Sequence, residues 1–147
     1  MWAYWLSVPA HWREIPARYR LEGGICRNCG YTMIPKEDVC PSCGSKDVEV
    51  KRLPRKGIVL SYSVVWNAPR GYEYYTPYVV AIIELEDGTR VLSQLTDVDP
   101  SQVIEGMEVE MVLRKVRVSG ESGIIAYAYK FRPVLSASSL KNASNNL

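Results

Sequence analysis

Cys26-Arg27-Asn28-Cys29-Gly30 and Cys40-Pro41-Ser42-Cys43-Gly44 decide how this chain is read, because they hold all four of its cysteines within eighteen residues. The spacing is C-x2-C-x10-C-x2-C. A two-residue gap lets both thiolates of a pair face one tetrahedral ion, and the glycine after each second cysteine permits the tight turn. Two such knuckles close a structural zinc site with no coordination position left open for chemistry. A pair of disulfides is one rival, and it needs an oxidising compartment that nothing else in the chain suggests. An iron centre of the rubredoxin kind is another, since Cys-Pro-x-Cys-Gly also serves iron. The short loop between the knuckles favours zinc. The expected ion holds the fold and does not catalyse.

Outward from the knuckles the chain divides into four pieces, expected as an arm over residues 1–22, a zinc ribbon over 23–56, a barrel over 57–133 and a disordered tail over 134–147. At 147 residues, 47% of them apolar, there is room for a small metal-stapled module and one compact β domain. No stretch approaches the roughly 18 to 20 apolar residues of a membrane helix. The apolar start Met1-Trp2-Ala3-Tyr4-Trp5-Leu6 lacks the basic lead and cleavage pattern of a signal peptide. Metal-binding, reduced cysteines make the cytoplasm the expected address, where the Asn142-Ala143-Ser144 sequon carries no meaning. In the arm, Pro9 and Pro16 are expected to split the helical run into two short helices.

Five strands are expected in the third piece. Ile58 to Trp66 places Ile58, Leu60, Tyr62, Val64 and Trp66 on one face at period two. Tyr78 to Leu85 is almost continuously apolar, so both its faces are expected to be covered. Asp87-Gly88 then reads as a two-residue type I′ hairpin turn leading to Arg90–Leu95. Asp99-Pro100-Ser101-Gln102 offers a cap and one helical turn. The fourth strand alternates from Met107 to Arg114. The fifth puts Ile125, Tyr127, Tyr129 and Phe131 on one face. Five strands with a helical turn between the third and fourth give the order of an OB-fold barrel, with a small sandwich as the alternative. The fold class is thus mainly β (α+β): a helical arm, a rubredoxin-like four-cysteine ribbon and a five-stranded OB-fold.

Trp12-Arg13, Arg18-Tyr19-Arg20-Leu21-Glu22-Gly23, the two knuckles, Pro77-Tyr78-Val79-Val80-Ala81 and Gly106-Met107 together resemble domain-of-unknown-function family 35. These are acyl-CoA-associated proteins that join a zinc ribbon to an OB-fold, and the resemblance runs from about Trp12 to Pro133. The knuckles are generic. Their combination with the Arg-Tyr-Arg-Leu-x-Gly lead-in and the barrel is specific. The resemblance implies a non-catalytic subunit beside thiolase-like or enoyl-CoA hydratase-like enzymes. For archaeal members it implies one that joins acetoacetyl-CoA thiolase to hydroxymethylglutaryl-CoA synthase in the mevalonate pathway.

The residues themselves supply no enzyme constellation by pattern. Zinc takes the four cysteines, and no phosphate loop follows a strand. His11, the only histidine, reads as a side chain at a helix start. The pairs Glu84/Glu86 and Glu108/Glu110 each share a sheet face, most simply the solvated one. Single-stranded nucleic acid is the alternative ligand, since zinc ribbons and OB-folds both serve it. Charge argues against it. Residues 1–57 hold ten Lys/Arg against six Asp/Glu, whereas residues 58–147 hold eight against ten, so the barrel lacks the positive excess that tracks phosphates. The basic cluster Lys51, Arg52, Arg55 and Lys56 sits on the connector, free to be solvated, to meet an anionic CoA tail or to meet an acidic partner surface.

Aromatic placement favours a protein partner. Trp5, Trp12, Arg13 and Tyr19 are candidate partner contacts on the arm, since aromatics beside arginines anchor interfaces, with packing of some arm aromatics back on the ribbon as the alternative. Trp66, Arg70, Tyr72, Tyr74 and Tyr75 bracket the first barrel loop, which borders the usual OB-fold ligand face. They are candidate CoA contacts, with a partner contact or closure of the barrel mouth by its own side chains as the alternatives.

Overall fold

The computed structural model describes residues 7–67, 69, 72–118, 120–121 and 123–135. Trp5, Arg70 and the expected tail beyond residue 135 lie outside the described residues. One helix, α1 (Val8–Arg20), replaces the two expected from the prolines. Pro9 falls at the start of the helix, where its missing N–H has no intrahelical partner to lose. Pro16 sits inside the helix and removes one backbone bond. Packing of α1 on the barrel strand Ile125–Pro133 and on the first ribbon strand holds the run together.

The ribbon is a three-stranded antiparallel sheet in which β1 (Glu22–Cys26) lies between β2 (Thr32–Met33) and β3 (Val48–Arg52). β1 reads Glu22-Gly23-Gly24-Ile25-Cys26 for a steric reason. A Cβ on Gly23 would stand 2.1 Å from the Met33 carbonyl oxygen, so only glycine lets β2 approach there.

The barrel is closed, in the order β4-β5-β6-β8-β7: β4 (Lys56–Val65), β5 (Tyr78–Leu85), β6 (Arg90–Leu95), β7 (Glu108–Val118) and β8 (Ile125–Pro133). β5 and β6 keep the expected bounds. β4 begins two residues early and stops before Trp66, and β7 runs on to Val118. A one-turn helix at Pro100–Gln102 separates β6 from β7, capped by Asp99, whose Oδ1 accepts the Ser101 N–H at 2.8 Å.

A bulge in β4 overturns part of the expected facing, and a second bulge lies in β7. Between Val59 and Ser61 the register of β4 on β5 slips by one residue. Val59 is therefore the buried residue at 1% exposure and Ile58 lies 40% exposed, while Val64, beyond the bulge, packs on the core. A second slip in β7, between Lys115 and Arg117, faces the start of β8. There Ala126 is buried and Ile125 and Tyr127 are exposed, and only Tyr129 and Phe131 keep the expected inward face.

β5 is covered on one face, through Val79, Ala81, Ile83 and Leu85, whereas Ile82 is exposed. The turn after it is also not type I′. Gly88 N–H bonds Leu85 O at 2.9 Å and Leu85 N–H bonds Thr89 O at 2.8 Å. Within this turn only Gly88 has a positive φ, of 80°. This is the three-residue loop in which a type I turn is followed by a left-handed glycine.

Leu21 joins all three parts. It caps α1 in the left-handed region (φ 56°, ψ 42°) and is wholly buried. Its N–H bonds Ala17 O at 3.2 Å, and its carbonyl accepts Leu53 N–H at 3.0 Å. Its side chain belongs to the same core as Val59, Ile83, Val109 and Phe131. The left-handed backbone costs about 1–2 kcal/mol for a residue with a Cβ. Full burial of a leucine returns about 1.5–3 kcal/mol, so burial wins. Polar contacts between ribbon and barrel add direction. Thr32 Oγ1 lies 2.9 Å from Thr89 Oγ1, and Lys51 Nζ donates to Asp87 Oδ2 at 2.6 Å.

Candidate functional site

The metal centre is built by two turns of one design. In the first, Gly30 N–H bonds Cys26 O at 2.8 Å and Cys26 N–H bonds Tyr31 O at 2.9 Å. In the second, Gly44 N–H bonds Cys40 O at 2.9 Å and Cys40 N–H bonds Ser45 O at 2.8 Å. Gly30 and Gly44 both adopt left-handed φ near 72°, with open space where a Cβ would stand, so backbone conformation alone demands glycine. The four Sγ atoms lie within 4.8 Å of one another. Cys26–Cys43 and Cys29–Cys40 are both 3.6 Å apart. A tetrahedron with metal–sulfur bonds of about 2.3 Å has edges of about 3.8 Å, so the sulfurs fit one ion.

Cys26 and Cys40 are buried with Met33, and Cys29 and Cys43 face outward. The Ser45 backbone N–H and then the Asn28 amide, 3.6 Å from Cys43 Sγ, push the Cys43 thiol down to about 6. The Tyr31 backbone bond lowers the Cys29 thiol, but burial and the other three sulfurs outweigh it and push that thiol up to about 11, so a bound ion would be what holds all four as thiolates. Arg27 and Glu49 form an ion pair across the ribbon beside the site.

The second feature is a cavity of about 500 Å³ at the seam where β6 and β8 part. These strands pair only at Leu95↔Phe131, with Thr96 N–H on Phe131 O at 2.8 Å. Upstream of that pair, Leu92, Ser93 and Gln94 face Ala128, Tyr129 and Lys130 around the opening. α1 contributes Ala17 and the ion pair in which Arg18 Nε donates to Glu14 at 2.6 Å. Ile34 and Pro35 of the ribbon also line it.

Of the expected CoA contacts, Tyr72 lines this cavity, half-buried, with its ring 5.8 Å from Tyr75 and 6.0 Å from Tyr78. Burial, then Tyr78, raises its pKa. Trp66 and Tyr74 instead face solvent, 71% and 97% exposed, and Tyr75 is exposed as well. On the arm, Trp12 is 74% exposed and Arg13 is exposed. Tyr19 turns inward, its ring 6.4 Å from Tyr127 and 6.3 Å from His11. In each carboxylate pair one member meets an arginine: Glu84 meets Arg90 at 3.3 Å and Glu110 meets Arg132 at 2.8 Å. Lys130, Tyr129 and Gln94 of the cavity were not marked by the sequence. Nothing in a strand's alternation says which outward positions lie beside a seam.

A four-thiolate ribbon packed on a closed OB barrel defines the class of two-module zinc-ribbon/OB-fold proteins. Residues 13–49 match the ChsH2 rubredoxin-like zinc ribbon domain, and residues 50–114 match the ChsH2 C-terminal OB-fold domain. A DUF35 domain-containing scaffold protein of Pyrococcus furiosus is 48% identical over 88% of this chain and 95% of its own length. Its counterpart in Methanocaldococcus jannaschii is 46% identical over 86% of this chain and 91% of its own. The chain belongs to this DUF35 scaffold-protein family. Its relatives reach into acyl-CoA enzymes: the benzoylsuccinyl-CoA thiolase subunit BbsA of Thauera aromatica is 34% identical over 82% of this chain and 83% of its own. A solved chain described as Ltp2-ChsH2(DUF35) aldolase superposes with a TM-score of 0.65 at 31% identity, covering 92% of this chain and all of that one. No helix among the described residues is long and apolar enough to cross a membrane.

Proposed function

We propose that this chain is a non-catalytic scaffold subunit that bridges acetoacetyl-CoA thiolase and hydroxymethylglutaryl-CoA synthase in the cytoplasm. The ribbon, over residues 23–56, holds one structural zinc on Cys26, Cys29, Cys40 and Cys43. The arm, over residues 1–22, meets one enzyme through Trp5, Trp12 and Arg13. The barrel, over residues 57–133, brings Trp66, Arg70, Tyr72, Tyr74 and Tyr75 to the contact with the partners, where they border a shared CoA passage. Holding two enzymes together raises the effective concentration of a passed acyl-CoA at the second site.

One observation carries this reading. Large aromatics are displayed to solvent on two separate elements, Trp12 on α1 and Trp66 with Tyr74 on the first barrel loop. Aromatic anchors of this kind dominate the energetics of protein interfaces. The names of the scaffold relatives and of the thiolase subunit support the choice of partners. The spent carboxylates, Glu84 on Arg90 and Glu110 on Arg132, agree with a surface that lacks acid–base chemistry of its own.

Co-expression with both enzymes from the source organism tests it. Both are expected to co-elute with the tagged chain, and Trp12→Ala and Trp66→Ala to release one or both while leaving the fold intact. Elution of neither enzyme, together with salt-dependent binding of single-stranded nucleic acid, would sink the reading.

A further inference from the structure

The cavity at the β6–β8 seam has the marks of a ligand site, and the bridging role does not explain them. Its volume of about 500 Å³ falls within the ordinary 300–1,000 Å³ of small-molecule pockets. Its walls are largely apolar, from Val80, Leu92, Val116 and Ala128 on the barrel and Ile34 and Pro35 on the ribbon. All three parts of the molecule contribute, so it exists only in the assembled fold.

Its charges are unequal in kind. Arg18 and Glu14 neutralise each other across one turn of α1. Lys130, on β8, is half-buried and makes no ion pair or hydrogen bond with the described residues. Burial and then Arg114 lower its pKa, while Asp97, which acts the other way, is engaged by Arg114 at 2.6 Å. Lys130 also borders a smaller recess of about 140 Å³ beside Tyr75 and Pro77. A desolvated ammonium with no carboxylate of its own is completed by an incoming anion. Ser93 is buried, and its hydroxyl has only a long 3.4 Å contact to Gln94 O, so it offers a second polar anchor.

We propose that this cavity binds a flexible chain carrying one anionic group, with the chain along Leu92, Val80 and Ala128 and the anion on Lys130. The inference deepens the CoA contact proposed above and rests on that reading. It moves the contact from the exposed loop aromatics to the seam. The anion is either the phosphate of a phosphopantetheine arm or the carboxylate of a free acyl chain.

Calorimetric titration of the full-length, zinc-loaded chain separates these sources. The probes are 4′-phosphopantetheine, decanoate and, as the neutral control, decanol. At least one anionic probe is expected to saturate a single site, more tightly than decanol. Uptake of phosphopantetheine alone assigns the site to the thioester carrier, and uptake of decanoate assigns it to free acyl chains. Lys130→Met is expected to weaken binding about tenfold or more at unchanged Tm, as loss of a charge-assisted contact does, and Lys130→Arg to restore most of it. Ala128→Trp, which fills the cavity, is expected to abolish binding. The inference is overturned if neither anion binds at millimolar concentration, if decanol binds as tightly, or if Lys130→Met binds like the parent. A chain that co-elutes with both enzymes but takes up no probe refutes the cavity alone. A chain that binds a probe but elutes alone refutes the bridge alone.

Discussion

Leu21 carries more of the fold than its position at the end of a short helix suggests, and truncating it tests how arm, ribbon and barrel are joined. Its side chain is wholly buried in the barrel core, and its carbonyl holds the Leu53 N–H at the ribbon's exit. Leu21→Ala leaves the backbone in the left-handed region, so the φ cost stays while the burial is lost. Core leucine-to-alanine changes cost about 2–5 kcal/mol. A residue on which three elements converge cannot be replaced by the collapse of any one of them, so the upper half of that range is expected. For a chain of this length each kcal/mol lowers Tm by about 2–4 °C, giving a fall on the order of 10 °C. Leu21→Gly separates the two terms. Glycine removes one more methyl group, worth about 0.8 kcal/mol, and relieves about 1–2 kcal/mol of left-handed strain. It is therefore expected to match or exceed alanine in stability. Urea titration of the zinc-loaded protein, followed by circular dichroism, reads both differences. A loss under about 1 kcal/mol for alanine, or a glycine variant clearly less stable than alanine, would refute the reasoning.

Metal removal is expected to unfold the ribbon, since binding to such modules supplies roughly 10–16 kcal/mol of apparent free energy; Cys40→Ser followed by near-ultraviolet circular dichroism and zinc content checks it, and native signal in metal-free protein would contradict it. Gly23→Ala is expected to destabilise by about 1–3 kcal/mol or more, because its Cβ would meet the Met33 carbonyl at 2.1 Å and backbone must shift; thermal melting reads this. Asp87 is partly buried, which raises its pKa, but the hydrogen bonds from Lys51 and Thr89 outweigh burial and hold it below the ordinary carboxylate value. Its contribution is thus fully present above the unfolded pKa near 4 and lost as pH falls through the lower folded one. The Tm difference between the parent and Asp87→Asn is expected to be largest above about pH 4 and to shrink below it. A difference that grows with acid would show the sign to be wrong.

The metal centre was legible because it is local. Each turn brings its own two cysteines together with no help from distant residues, and the glycines at 30 and 44 announce the conformation that each turn requires. Strand order in the barrel was legible for a related reason: β5 and β6 are short, apolar and bounded by turn residues, so their limits stand in the sequence. Facing was less so. Whether Ile58 or Val59 enters the core depends on a bulge that appears only when β4 is laid on β5. The single helix was missed because proline propensity is a local penalty, and packing of α1 on β8 is a non-local gain.

The sequence by itself determined a four-thiolate ribbon ahead of a five-stranded barrel, because short-range turn chemistry and period-two alternation need no distant partner. Tertiary structure alone decided where the cavity lies. The seam between β6 and β8 brings together Leu92, Ala128, Lys130, Ile34 and Arg18 from four segments far apart in the chain. Their proximity depends on barrel closure and on the docking of α1, and neither leaves a periodic trace in any one segment. The same holds for Leu21, whose central place follows from what surrounds it and not from its neighbours in sequence.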